Sequence, residues 1–151
     1  MLLKSLSFAT GGQCILSYEK ADGWLRATWT GYVDTANAMQ GATTYLEQVG
    51  PMHCLYLLND NVGLQGPWFD STRWLEAAWL PQAQRLGLRY VAHVVQSDTH
   101  ADIMTLRYPP HHLVDALELQ LFYDVAAAEE WLRGCQQPSH LQPSSPEPRL
   151  L

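Results

Sequence analysis

Two almost unbroken apolar runs, residues 53–59 (His-Cys-Leu-Tyr-Leu-Leu-Asn) and residues 89–96 (Arg-Tyr-Val-Ala-His-Val-Val-Gln), constrain this chain more than any other feature. A strand with one wet face alternates apolar and polar side chains. These runs are apolar at consecutive positions, so each needs cover on both faces. Helices packed on the two sides of a sheet supply that cover, and helical patterns flank both runs.

Ahead of the first run, Met39, Ala42, Leu46 and Val49 recur at the three- and four-residue steps of one helix face. Asp34 is placed to accept hydrogen bonds from the first-turn amides, and Gly50 with Pro51 stops the element. Between the runs, Trp74, Leu75, Ala78 and Trp79 form a second stripe behind a cap at Asp70. Pro81 predicts a kink or restart there, because it removes one helical hydrogen bond, and Gly87 ends the element. Asp98 caps a short helix carrying Ile103, Met104 and Leu106, stopped by Pro109 and Pro110. Asp124 caps a last helix that packs Ala128, Trp131 and Leu132.

The remaining strands follow from alternation. Residues 13–19 and 23–30 read as a hairpin turned by Lys20, Ala21 and Asp22, with Gly23 free to take a positive φ. Leu25, Ala27 and Trp29 fall on one face of it, and Trp24, Arg26 and Thr28 on the other. Residues 117–123 alternate as a strand with one wetter face, expected at a sheet edge. Asn59, Asp60 and Asn61 mark the polar end of the first central strand, and residues 61–69, with Gly63, Gly66 and Pro67, read as a loop. No internal repeat is present. The expectation is one α/β domain over residues 1–134, with a mixed sheet of about five strands and four helices in the order β-β-α-β-α-β-α-β-α. Residues 135–151, rich in Pro and Ser, are expected to form a flexible tail.

Composition narrows the function. With 151 residues, 47% of them hydrophobic, the chain buries a sizeable core without disulfides or a structural metal. Nine Lys and Arg against fifteen Asp and Glu give a formal charge of -6, which leaves no cationic surplus for a phosphate backbone. Nucleic acid and anionic membrane are therefore not expected partners. Cys14, Cys54 and Cys135 are odd in number and widely spaced, as expected of buried reduced thiols, the last of them in the polar tail. The apolar start is broken by Lys4, Ser5 and Ser7, and no run reaches the length needed to cross a bilayer. A cytoplasmic protein without membrane insertion is the expectation.

The hairpin ending in Trp29-Thr30-Gly31, the strand ending in Leu58-Asn59-Asp60, and the helix with Trp74-Leu75 and Trp79-Leu80-Pro81 come in a fixed order. The Tyr90-Val91-Ala92-His93-Val94 strand and the close from Phe122-Tyr123-Asp124 to Glu130-Trp131-Leu132 complete it. Over residues 13–133 this order resembles small bacterial proteins of the STAS type, a family named after sulfate transporters and anti-sigma-factor antagonists. The resemblance implies a STAS-like sheet backed by helices that binds a protein or small ligand, generally without catalysis. In the antagonist branch a Ser or Thr opening the helix after a central strand is phosphorylated to switch partner binding, and Asp70-Ser71-Thr72 resembles that site. Here nine residues separate Asp60 from Asp70, and Arg73-Trp74 replaces the usual small Gly. The alternative is that Asp70 merely caps the helix, with Ser71 and Thr72 tolerated in its first turn.

Parallel central strands leave their carboxyl ends on one edge, where open α/β sheets bind ligands. That edge is expected to gather Asn59, Asp60, Asn61, Asp98 and His100, with Asp102 nearby. The leading expectation is a noncatalytic module that recognises a protein partner or a small apolar molecule. Its binding surface combines that cluster with Leu64, Trp68 and Phe69 of the loop, which with Val62 either close over the edge or fold back on the core. A phosphorylation-switched regulator using Ser71 or Thr72 is the second class. An enzyme using Asp60, Asp98 and His100 is the third. No catalytic residue, metal or cofactor is assigned. His93 is read as a hydrogen-bonded core residue, His53 as exposed, and His111-His112 with Asp115 as a polar loop in preference to a metal site. The phosphate-loop, nucleophile-elbow, Cys-x-x-Cys and dinucleotide motifs do not occur. Trp24 and Phe122, read on outward faces, make a homodimer a further expectation.

Overall fold

Seven strands, β1 (Leu2–Ser7), β2 (Gln13–Glu19), β3 (Trp24–Tyr32), β4 (Tyr56–Gln65), β5 (Tyr90–Val94), β6 (His111–Val114) and β7 (Leu117–Phe122), share one sheet. Their order across the sheet is β1-β2-β3-β4-β5-β7-β6. The computed structural model describes residues 1–96, 103–104 and 108–138. The centre is parallel, β3 with β4, β4 with β5 and β5 with β7, while β1, β2 and β6 add antiparallel pairings at the sides. The two apolar runs lie in β4 and β5, in register from Tyr56 opposite Tyr90 to Asp60 opposite Val94.

Among the described residues three helices cover the sheet. Helix α1 (Thr35–Val49) starts at the expected cap, the Asp34 carboxylate accepting from the Asn37 amide at 2.9 Å. A π-helical turn (Leu75–Trp79) leads into α2 (Leu80–Arg85). Pro81 explains the turn: an unbroken α-helix would press its ring onto the carbonyl of residue 77 and ask for an N–H it lacks. The wider turn just before it, closed by Leu80 N–H to the Leu75 carbonyl, lets the chain pass the proline. Helix α3 (Val125–Cys135) is capped by Asp124, which accepts from the Ala126 amide at 3.3 Å. Helices α1 and α2 bury Ala38, Ala42, Tyr45, Val49 and Ala83 against one face. On the other, α3 buries Ala128, Leu132 and Cys135 against Trp24, Leu58 and Val94.

Several expectations change. The sheet has seven strands instead of about five, because residues 2–7 and 111–114 form edge strands. Edge strands carry little alternation, and Lys4 and the His111-His112 pair gave those segments a polar look. Residues 117–122 are consequently not at an edge: β7 is paired on both sides. Cys135 is the last residue of α3 and 1% exposed, so it belongs to the domain and not to the tail. Trp24 is fully buried under α3 and Phe122 packs partly into the same cluster, which removes the reason for expecting a homodimer. No helix among the described residues is long and apolar enough to cross a membrane.

All three cysteines are free and buried. Burial pushes Cys14 and Cys135 up to about 12 from an ordinary 9.0. Unfolded thiols ionise first as pH rises, so the stability carried by their neutral burial is complete below about pH 9 and is lost on the way to about pH 12. The thermal midpoint should fall across that window, and less steeply in Cys14→Ala; identical slopes in the two proteins would contradict this.

Candidate functional site

Strand β4 continues through Asn59, Asp60 and Asn61 as far as Gln65, because β3 stays paired with it as far as Tyr32. The expected loop of residues 61–69 is thus half strand, and the three polar residues are 7%, 7% and 2% exposed instead of forming a solvated tip. One extra residue enters β4 between the pairs Thr28–Asp60 and Thr30–Gly63. Such a bulge strands an amide. The Asp60 carboxylate accepts the Val62 N–H at 3.0 Å.

Alternation then separates neighbours. Leu58 packs in the cluster under α3, and Asp60 on that same face pairs with Arg26 at 2.8 Å, which also lies 3.8 Å from Glu129 of α3. Asn59 faces the α1 side instead, where its Oδ1 accepts from the Trp29 indole N–H at 2.9 Å. Its Nδ2 donates to Asn61 Oδ1 at 3.1 Å and meets His93 Nδ1 at 3.0 Å. An indole can only donate, which fixes the amide orientation of Asn59. His93 Nδ1 must then be the acceptor, so the ring proton sits on Nε2. His93 is a hydrogen-bonded core residue, as read from the sequence.

Trp68 stacks on His93 with centroids 5.4 Å apart and meets Trp29 edge-on at 6.0 Å. Its φ of 60° is unusual for a bulky residue, and its amide is held by the Val33 carbonyl at 2.8 Å. Beside this aromatic group lies a cavity of about 70 Å³ between the sheet and the helical layer. Leu57, Val91, Leu75 and Met104 line it, Asn59, His93, Tyr45 and Trp68 border it too, and its surface is almost wholly apolar. A second cavity of about 60 Å³ shares Leu75, Trp79, Val91 and Met104 with the first. A groove of about 330 Å³ between α2 and β6 continues outward past Glu76, Tyr108 and His112. There the Tyr108 hydroxyl donates to the Glu76 carboxylate and its ring stacks on His112 at 4.7 Å.

Of the residues singled out from the sequence, Trp68 and Phe69 fold back on the core, Leu64 packs partly against it, and Val62 is exposed. Asp70 is exposed and does not cap the helix; its amide donates to Thr35 Oγ1 at 3.1 Å. Ser71 takes the capping role, its Oγ accepting from the Arg73 amide at 3.1 Å, while Thr72 is buried. The carboxyl ends of β4 and β5 do meet, and Gln96 Nε2 donates back to the carbonyls of Val62 and Leu64. Asp98, His100 and Asp102 lie outside the described residues. His111 sits in edge strand β6, 2.7 Å from Glu118, instead of in a loop. Among the described residues no three His, Cys, Asp or Glu side chains gather so as to hold a metal ion. Sequence reasoning missed Trp29 and Tyr45 as site residues. Tyr45, three positions after Ala42, was within reach of the helical stripe; Trp29 offered only its place in the alternation.

No protein-family model matches the chain, and comparison with curated proteins finds no relative. Among solved structures, an uncharacterized protein from Shewanella loihica PV-4, described as of the DUF3478 family with a SpoIIAA-like fold, is 21% identical. That match covers 84% of this chain and 98% of the other, with a TM-score of 0.46.

Proposed function

We propose that this protein is a noncatalytic binding module that takes up a small apolar molecule between its sheet and the layer formed by α1 and α2. The observation that carries the reading is the apolar cavity of about 70 Å³ beneath Trp68, bordered by a second of about 60 Å³. Native cores are packed with few voids larger than a water molecule, so two adjoining apolar spaces are a structural cost that binding would offset. Methylenecyclopentane added to the labelled protein should shift NMR signals of residues around Leu57, Val91 and Trp68. Ala42→Leu, which extends a side chain into the cavity, should weaken that binding. Shifts scattered over the surface, or equal affinity in the variant, would remove the reading.

A second reading, the phosphorylation-switched regulator, is supported at Ser71, whose hydroxyl stands half-buried where the helical passage begins and already accepts an amide hydrogen bond. A phosphate there would be favoured by free amides, whereas Thr72 is buried. Native mass spectrometry separates the two readings by the mass each adds.

A further inference from the structure

An occupant of the cavity beneath Trp68 needs a way in, and the walls of that cavity differ in how easily they yield. Trp29, Tyr45, Leu57 and Val91 line it from β3, α1, β4 and β5, and all four are buried. Another flank is the π-helical turn Leu75–Trp79, with Leu75 and Trp79 on the cavity. Every residue from 73 to 82 stays at least partly exposed, whereas Thr72 before that stretch and Ala83 after it are buried. A stretch with little buried area between two anchored ends opens at lower free energy than the core around it.

The backbone points the same way. Pro81 returns no N–H to the carbonyl of residue 77, and the π turn that accommodates it is a rarer and wider hydrogen-bonded geometry than the α-helix. Position fits as well. Leu75 and Trp79 line both cavities, while Glu76 and Leu80 line both the second cavity and the outer groove. The turn thus stands between the groove and the space beneath Trp68. It is tied inward by the Trp79 indole, which donates to the Ala42 carbonyl at 2.9 Å, and outward by the Tyr108 hydroxyl, which donates to the Glu76 carboxylate. Tyr108 is itself braced by its ring stack on His112 of edge strand β6.

Building on the binding reading above, we propose that the turn Leu75–Trp79 is the gate of the cavity and that the hydrogen bond from Tyr108 to Glu76 is its latch. Breaking the latch lets the stretch between Thr72 and Ala83 swing away from the sheet and opens the way in from the groove. The walls supplied by β3, β4, β5 and α1 stay in place. The latch therefore sets how fast an occupant enters and leaves, and the buried walls set how tightly it is held.

Tyr108→Phe keeps the ring on His112 and deletes the latching hydroxyl. In NMR relaxation dispersion of the whole chain with methylenecyclopentane, entry and departure should both become about fivefold faster, the effect of one partly exposed hydrogen bond. Kd should move by less than about twofold, because the open form stays a minor population. Without ligand, amide hydrogen exchange over residues 75–80 should speed up by a similar factor while the amides of α1 and α3 keep their rates. Glu76→Ala should behave alike, and the double variant should add nothing further, because both changes remove the same bond. Entry and departure as slow as in the wild type in both variants, or amide exchange that speeds up throughout the protein, would overturn the gate and leave apolar binding standing. Additive effects in the double variant would overturn the latch. A weaker Kd carried by departure alone would show that Tyr108 holds the occupant directly, and would overturn the gate too. Failure of methylenecyclopentane to bind would overturn both readings together.

Discussion

Asn59→Ala should unfold in urea with a loss of about 3–5 kcal/mol relative to the wild type, because one amide satisfies three buried partners at once. The Trp29 indole loses its acceptor, and Asn61 Oδ1 and His93 Nδ1 each lose a donor. Each group cut off from a partner inside the core costs about 1–3 kcal/mol, less whatever a water entering the vacated space restores. Asn59→Asp should be no milder. It keeps an acceptor for Trp29 but sets carboxylate oxygens against two further acceptors and buries a charge. A loss below about 1 kcal/mol in either variant would mean that the network does not hold the aromatic group in place. Because Trp29 and His93 also line the cavity, Asn59→Ala should weaken binding of methylenecyclopentane too.

The parts of the fold legible in the sequence were those where periodicity and end signals agree. Asp34 and Asp124 cap the helices they were expected to cap, and the two apolar runs pair in parallel at the centre. Edge strands were missed because an edge has fewer neighbours to satisfy, so little in β1 or β6 forces an alternating pattern. The misreading of Asn59, Asp60 and Asn61 is more instructive. Consecutive polar residues usually end a strand, but here each finds a partner inside the fold: Trp29 and His93 for Asn59, the part-buried Arg26 for Asp60, and Asn59 for Asn61. Trp29, Arg26 and His93 come from two other strands, and a single chain read in order carries no sign of them. Phe69 and Trp68 illustrate the converse. Their size showed that they must be buried somewhere, while the left-handed backbone at Trp68 that turns the ring inward had no signature in its residue type.

Asp60 offers the sharpest contrast with its neighbour. Asp60→Ala should cost about 2–4 kcal/mol in urea unfolding yet leave binding of methylenecyclopentane unchanged. The Asp60 side chain is 9% exposed and that of Arg26 25%, so removing the carboxylate leaves a largely buried guanidinium with Glu129, 3.8 Å away, as its remaining neighbour of opposite charge among the described residues. Fully buried broken pairs cost about 3–5 kcal/mol, and the partial exposure of Arg26 lowers the figure here. The Val62 amide also loses its acceptor at the bulge, although Val62 is 42% exposed and water can replace the carboxylate there. Replacing both members, Arg26→Met with Asp60→Leu, should recover much of the loss, because the guanidinium goes with its carboxylate and only Glu129, 27% exposed and 3.8 Å from Arg26, loses a neighbour of opposite charge. Binding should be indifferent to all of this, since the pair lies on the α3 face and the cavity on the other, with the sheet between. If Asp60→Ala weakened probe binding as much as Asn59→Ala, the two faces would be coupled through β4, and the division of labour that alternation imposes on adjacent residues would not hold for this strand.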